Sequence, residues 1–338
     1  MKRVVIFALL VVGLDAGIGW AIGQLYRRTF TGERGGLLNY ALTKDVDVLI
    51  LGSSRAQFQV MPAVLRQTLS MTAFNAGLKG HDFLYSVMLY DLWRRAHIAK
   101  VLLLQIDIES LLRRDNELEA SQIFAPYIDE SAVIREVLYS GDPFKRFEYR
   151  SQTYRYNGKV FAIARNWFAR PDFESDGFLP AFGTLNPATD LLVANALDQD
   201  ATAREKASQS FWDTKLKYLR ALAADATGRQ TRLFLFHTPQ YGPDPIAHST
   251  WTDRVRSLIS ELPGVEFLDI CETTYPQIFA RRPALFRDVN HLNAEGAVIL
   301  SSLLADEMKR RLAAGTDTSH ERTARSREEA SSEPFPPQ

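Results

Sequence analysis

The sequence predicts an α/β protein: a three-layer sandwich around a mostly parallel, five-stranded sheet, interrupted by a helical insertion. Three observations carry that prediction. Short continuous apolar runs at Val46 to Leu51, Thr72 to Asn75, Val101 to Ile108, Leu233 to Phe236 and Val265 to Ile270 have the signature of strands buried on both faces. Helical patterns alternate with them, at Pro62 to Leu69, Phe83 to Ala96, Phe211 to Ala224 and Ser249 to Leu262, as parallel strands joined by crossovers require. From about 110 to 210 the strand pattern is lost, and aromatic residues mix with Arg and Asp.

Taken in chain order, Lys2 and Arg3 precede an apolar segment from Val4 to about Gly23. Roughly 20 residues at about 1.5 Å each cover about 30 Å of hydrocarbon, so residues 1–28 read as a membrane anchor. The short charged start followed at once by the apolar segment places the rest of the chain on the far side of the membrane. A cleaved signal peptide is the alternative, with Ala21-Ile22-Gly23 as its small-residue site. Asp15 sits near the middle of the segment at a cost of about 2.5 to 3.5 kcal/mol. It is expected to snorkel, to face a wet groove or to dock on a polytopic partner. Residues 29–45, with Gly32, Gly35 and Gly36, read as a linker, and 46–312 as the α/β domain.

Within that domain Pro62 suits a first helical turn. The insertion reads as a helical subdomain whose aromatics fill a small core of their own, with stacking on sugar faces as the sharper alternative. The last helix starts at Ala294 with Asn293 as its cap, and Ile299, Leu300, Leu303, Leu304 and Met308 mark its buried face. Residues 313–338 turn to Ser, Thr, Glu, Arg and Pro, a composition that predicts a disordered tail.

Composition excludes some functions. Forty Lys and Arg balance 40 Asp and Glu, so there is no basic stripe for nucleic acid. The lone Cys271 can form no internal disulfide, and no His/Cys/Asp/Glu cluster has metal-ligand spacing. No phosphate-cradling glycine loop is present either. No metal or cofactor is expected.

The chemistry lies at strand ends, where ligands gather in open α/β sheets. The first strand runs into Gly52-Ser53-Ser54-Arg55, and far downstream Asp288-Val289-Asn290-His291 stands at the mouth of the last helix. A serine hydroxyl needs a base to take its proton, and imidazole suits that role near neutrality. Ser54 is the candidate nucleophile, His291 the base, and Asp288 the group that fixes the imidazole tautomer. The Ser54 and Gly77 N–H groups are the candidate oxyanion donors. Arg55, Asn75, His81, His237 and Tyr241 fall near the same strand ends and are candidate substrate contacts. Each has a plainer role as a turn, cap or surface residue, so convergence is what singles them out. His97, His248 and His320 lack evident partners and read as solvated.

At these residues the chain resembles the SGNH, or GDSL-like, hydrolase superfamily over most of 46–312 apart from the insertion. Gly52-Ser53-Ser54 matches the family's Gly-Asp-Ser block with Ser53 in place of aspartate, Asn75-Ala76-Gly77 matches its Asn-x-Gly setting, and Asp288 with His291 matches its Asp-x-x-His. The third block departs: where the family offers an Asn side chain to the oxyanion, this strand ends Gln105-Ile106-Asp107-Ile108-Glu109. The anchor, Gly-Ser-Ser and the continuation Leu292-Asn293-Ala294-Glu295-Gly296 are similar to a membrane-anchored branch. That branch comprises alginate and other exopolysaccharide O-acetyltransferases and the D-alanyl transfer protein of teichoic-acid modification. The resemblance implies acyl transfer through an acyl-serine to an exopolysaccharide or envelope glycan, with the acyl group relayed by a membrane-bound O-acyltransferase partner. An esterase of the same fold and a non-catalytic glycan-binding scaffold are the alternatives.

Overall fold

The computed structural model describes residues 1–32, 35–106, 120–140, 142–171, 173–188, 209–241, 257, 259–270, 277–280 and 282–331. Five parallel strands form the sheet: β1 Val48–Leu51, β2 Ala73–Asn75, β3 Val101–Gln105, β4 Arg232–Phe236 and β5 Val265–Leu268, in the order β2-β1-β3-β4-β5. Successive side chains of a strand leave opposite faces, and the core divides accordingly. Leu49, Leu51, Leu102, Leu104, Leu233 and Leu235 join one buried cluster, whereas Val48, Ile50, Val101, Leu103, Phe234 and Phe236 join the other. The predicted three-layer α/β arrangement is therefore present.

Helices fill the two outer layers. Of those between the strands, α3 Ser54–Gln59, α4 Pro62–Leu69 and the last helix, α10 Ala294–Ser331, pack together on one side. Leu65, Leu300, Leu304 and Met308 close that side over the β1 and β3 valines. The other layer holds α5 Phe83–Trp93 and α9 Gln209–Gly228. Every residue of α5 is buried, as expected of a helix apolar all round. Its outer side is covered by the insertion, where α6 Ala132–Ser140 packs on it.

Several boundaries differ from expectation for identifiable reasons. Residues 29–45 are not a bare linker: α2 Gly36–Ala41 carries Leu37, Leu38 and Ala41 into the core. Among the described residues the insertion has no separate core, because its Phe124, Tyr127, Tyr149 and Tyr156 belong to the same buried cluster as α5. The α10 backbone stays helical past 312 to Ser331, where a disordered tail was expected; no proline interrupts the stretch between Gly315 and Ser331, which carries three Glu and three Arg. His97 is not solvated: its Nε2 lies 3.0 Å from the Leu42 carbonyl and its ring against Trp93.

The N-terminal helix α1, Lys2–Arg27, is long and apolar enough to cross a membrane. It also ends inside the domain, with Tyr26 buried and its hydroxyl donating to the Ile123 carbonyl at 2.8 Å. The Asp15 carboxylate, expected in a groove or on a membrane partner, instead accepts from the Ser151 hydroxyl at 2.6 Å and the Gln152 and Thr153 N–H groups at 2.7 and 3.1 Å.

Candidate active site

β1 runs straight into Gly52, whose φ of +148° and lack of Cβ are both required. A Cβ there would stand 2.8 Å from the Cβ atoms of Ala56 and Gln105. The chain can therefore turn sharply and start α3 at once, with Ser53 as its N-cap and Ser54 as its first residue. Ser53 Oγ accepts from the Arg55 N–H at 3.2 Å, the usual capping bond. It also donates to Gln105 Oε1 at 2.8 Å, and the Ser53 N–H donates to the same oxygen at 3.1 Å. Gln105 ends β3, the neighbour of β1, so two adjacent strand ends are laced together directly behind Ser54.

The second half of the site lies on a small antiparallel ribbon, β6 Phe286–Asp288 and β7 His291–Leu292. Its turn pairs Asp288 with His291 across the ribbon. Asp288 Oδ1 accepts from the Asn290 and His291 N–H groups at 2.9 and 3.0 Å, and His291 Nδ1 lies 2.9 and 3.0 Å from the two carboxylate oxygens. The other imidazole nitrogen, Nε2, is 2.8 Å from Ser54 Oγ. A continuous Ser54–His291–Asp288 relay thus spans two elements that are 237 residues apart.

Further contacts hold the halves in register. The Phe58 ring meets the imidazole edge-on at 5.3 Å, Gln59 donates to the Asn290 carbonyl at 3.1 Å, and Arg55 donates to Asn290 Oδ1 at 3.1 Å. Behind His291, Asn293 caps α10 by accepting from the Gly296 N–H at 3.1 Å. Burial works against the charge on Asp288, but bonds from His291 and Asn290 and the nearby Arg287 guanidinium outweigh it. They hold this carboxyl below the ordinary carboxylate range, so it stays an acceptor for the imidazole N–H.

The other candidates divide. Ser54 N–H, in the first turn of α3, has no hydrogen-bond partner among the described residues and is free to meet an oxyanion. Gly77 N–H is already taken by Asn75 Oδ1 at 3.0 Å, because Asn75 folds back over its own turn. Asn75 is fully buried and donates to the Ala56 and Val60 carbonyls at 2.7 Å each, so it ties α3 to β2 and does not face substrate. His81 turns back to the Lys79 carbonyl at 3.0 Å and packs on Tyr85, while Asp82 caps α5. Burial pushes the His81 imidazole below its ordinary value.

Arg55 remains at the mouth of the site, with the Gln240 amide against its guanidinium. Tyr241 N–H donates to the Val289 carbonyl at 2.8 Å, and its ring lies on Phe286, so it braces the ribbon. His237 stands edge-on to Phe267 at the end of β4. Asp107, Cys271 and His248 lie outside the described residues. Gln105, Phe58 and Asn290 were not foreseen; a lone polar residue closing the apolar run Val101 to Leu104 was the available signal for the first. Among the described residues no three His, Cys, Asp or Glu side chains group as a metal set.

No family model matches the chain, and no curated protein does. Among solved structures, one from Streptococcus pneumonia described as "a putative platelet activating factor" is similar over 90% of this chain and 98% of its own, with a TM-score of 0.40 and 12% sequence identity. At that distance, the fold and the site rest on the geometry above.

Proposed function

We propose that this chain is an SGNH-type, serine-dependent acyltransferase, held by α1 in the cytoplasmic membrane with its α/β domain on the extracytoplasmic side. It passes an acyl group through acyl-Ser54 to a hydroxyl of an exopolysaccharide or envelope glycan. The observation that carries this reading is the relay of 2.8 and 2.9 Å contacts from Ser54 through His291 to Asp288.

In the first half-reaction His291 Nε2 takes the Ser54 proton as Oγ bonds to the acyl carbonyl carbon. The carbonyl oxygen becomes an oxyanion facing the Ser54 N–H, a type of contact worth about 2.7 to 4 kcal/mol per donor. The imidazolium then protonates the leaving oxygen as its bond to the acyl carbon breaks, leaving acyl-Ser54. In the second half an acceptor hydroxyl gives its proton to His291 and attacks, and Ser54 leaves with the proton returned. Asp288 holds the tautomer and offsets the imidazolium charge throughout. The motif resemblance supports a glycan acceptor and a membrane-bound O-acyltransferase as donor.

Hydrolysis by the same relay is the second reading, favoured by a half-exposed Asp288 side chain, 42% accessible, beside which water is close at hand. A non-catalytic scaffold draws only on the occupied Gly77 N–H. A fluorophosphonate probe tests catalysis: Ser54 should label in the full chain, and the Ser54→Ala protein should not. No labelling of the parent protein would sink the enzymatic reading. Adding glycan to an aryl-acetate assay then separates transfer, with acetyl recovered on the sugar, from release of acetate to water.

A further inference from the structure

One stripe of α1 is bolted to the insertion. Asp15, Gly19, Gly23 and Tyr26 follow at spacings of four, four and three, so they share a helix face. Asp15 accepts the three donors of residues 151–153 described above. A Cβ on Gly19 would lie 2.3 Å from the Cβ of Gln152, and one on Gly23 would lie 2.7 Å from the Tyr156 hydroxyl, so both glycines exist to allow this approach. Gly19, Gly23 and Tyr26 are the buried residues of α1, and Val4 to Leu14 are all exposed.

That placement has a geometric consequence for any helix that spans a bilayer. The free apolar stretch from Val4 to Leu14 is 11 residues, about 16 Å, roughly half the ~30 Å of hydrocarbon it must cross. The remainder comes from the half clasped by the insertion, so residues 151–156 meet the helix at the depth of one leaflet. Their chemistry fits such a place. A carboxylate and loop N–H groups are each costly in hydrocarbon, and here they satisfy one another.

The outer surface of the same insertion fits as well. On α7 Lys145–Glu148 and α8 Val160–Trp167 and at their ends, Phe144, Phe147, Phe161 and Phe168 are 72%, 60%, 92% and 86% exposed, and Trp167 is 41%. A hollow of about 330 Å³ is lined there by Gly158, Phe161, Ala162 and Arg165. Of the seven Lys and Arg in residues 142–171, Arg155 and Lys159 are buried and Lys145 pairs with Glu148, which leaves Arg146, Arg150, Arg165 and Arg170 exposed beside the aromatics. Exposed aromatics set among cations match the interface of an anionic bilayer.

We infer that the insertion is a membrane-seated rim: its Phe144, Phe147, Phe161 and Phe168 side chains enter the leaflet beside α1, to which the Asp15 clasp fixes them. The occupant of this surface is phospholipid with anionic headgroups. The inference rests on the reading of α1 as a retained membrane anchor and adds that the domain sits in the leaflet and does not hang from a tether.

The test uses the full chain with Cys271 replaced by Ala, reconstituted into phosphatidylcholine–phosphatidylglycerol vesicles. Single cysteines at Leu10→Cys, Phe161→Cys and Val298→Cys carry a polarity-sensitive fluorophore. Quenching by spin-labelled lipid is compared with quenching by aqueous iodide. Lipid-borne quenching at both 10 and 161, with only iodide acting at 298, is the expected result. Lipid quenching at 10 with position 161 behaving like 298 overturns the rim while leaving the anchor intact. Absence of lipid quenching at 10 overturns the anchor reading and the rim with it. Adding Asp15→Leu should lower lipid quenching at 161 and leave 10 unchanged; a clasp with no bearing on the rim would change neither.

Discussion

Two carboxylates organise two ends of this molecule, over very different lengths of chain. Asp288 gathers its donors from residues two and three positions ahead, Asn290 and His291, within one tight ribbon. Asp15 gathers its own from 136 to 138 residues away, on the insertion. The first sets the direction of an imidazole, and the second sets where a whole subdomain lies against a helix. A short-range cluster orients a side chain, whereas a long-range one fixes the relation of two bodies. The serine side of the site falls between them: Gln105 reaches Ser53 across 52 residues and joins two strands.

Substitutions that remove each acceptor separate the two roles. Asp288→Asn should have the largest effect on turnover, on the order of 10⁴-fold in kcat, because the amide favours the wrong imidazole tautomer. Acyl-ester kinetics with the thermal midpoint nearly unchanged would fit; a loss below tenfold would break the assignment. Gln105→Leu should lower kcat by about 10- to 100-fold through displacement of Ser54. It should also destabilise the fold by about 1 to 3 kcal/mol, because the Ser53 donors lose their acceptor; urea unfolding measures this.

Asp15→Leu should leave turnover of a soluble ester unchanged. Limited proteolysis within residues 142–171 should become faster, because the Gln152 and Thr153 N–H groups lose their partner. If turnover falls with cleavage unchanged, the division of labour between the two carboxylates is wrong. The smallest effect belongs to His81. Burial keeps its folded-state value below the ordinary 6.5, so the unfolded chain binds the proton first. The stability it contributes is complete above about pH 6.5 and is lost as pH falls through the folded value. Thermal midpoints of the parent protein should drop more steeply with acidification than those of His81→Gln, and parallel curves would refute this.

The span of each contact also explains what could be read from the residues alone. β1 to β4 were legible because near-continuous burial leaves its mark in each segment, the edge strand β5, buried only at Leu268, was legible from its apolar run, and Pro62–Leu69 was placed with both ends correct. Asp288 and His291 were legible because three positions separate them. Ser54 could be paired with His291 only through a motif, since nothing local in either segment encodes the 2.8 Å contact. The short helix α3 escaped because Ser54–Gln59 directly follows a strand and is too brief for a periodicity. The burial of α2 and the Asp15 clasp depend on partners folded in from elsewhere, whereas the occupied Gly77 N–H depends on the rotamer of Asn75 in its own turn. A glycine pattern at 32, 35 and 36 looks alike in a linker and in a packed turn.

The distance along the chain between Ser54 and His291 has a bearing on biogenesis. Ser54 is made early, but its base arrives only with β7, and β7 is held by Asn293 at the head of α10. Any fragment that ends before the ribbon lacks the imidazole that stands 2.8 Å from Ser54 Oγ. On the acyl-serine reading proposed above, reactivity switches on only when the last segment docks, so covalent labelling of Ser54 would report completed folding.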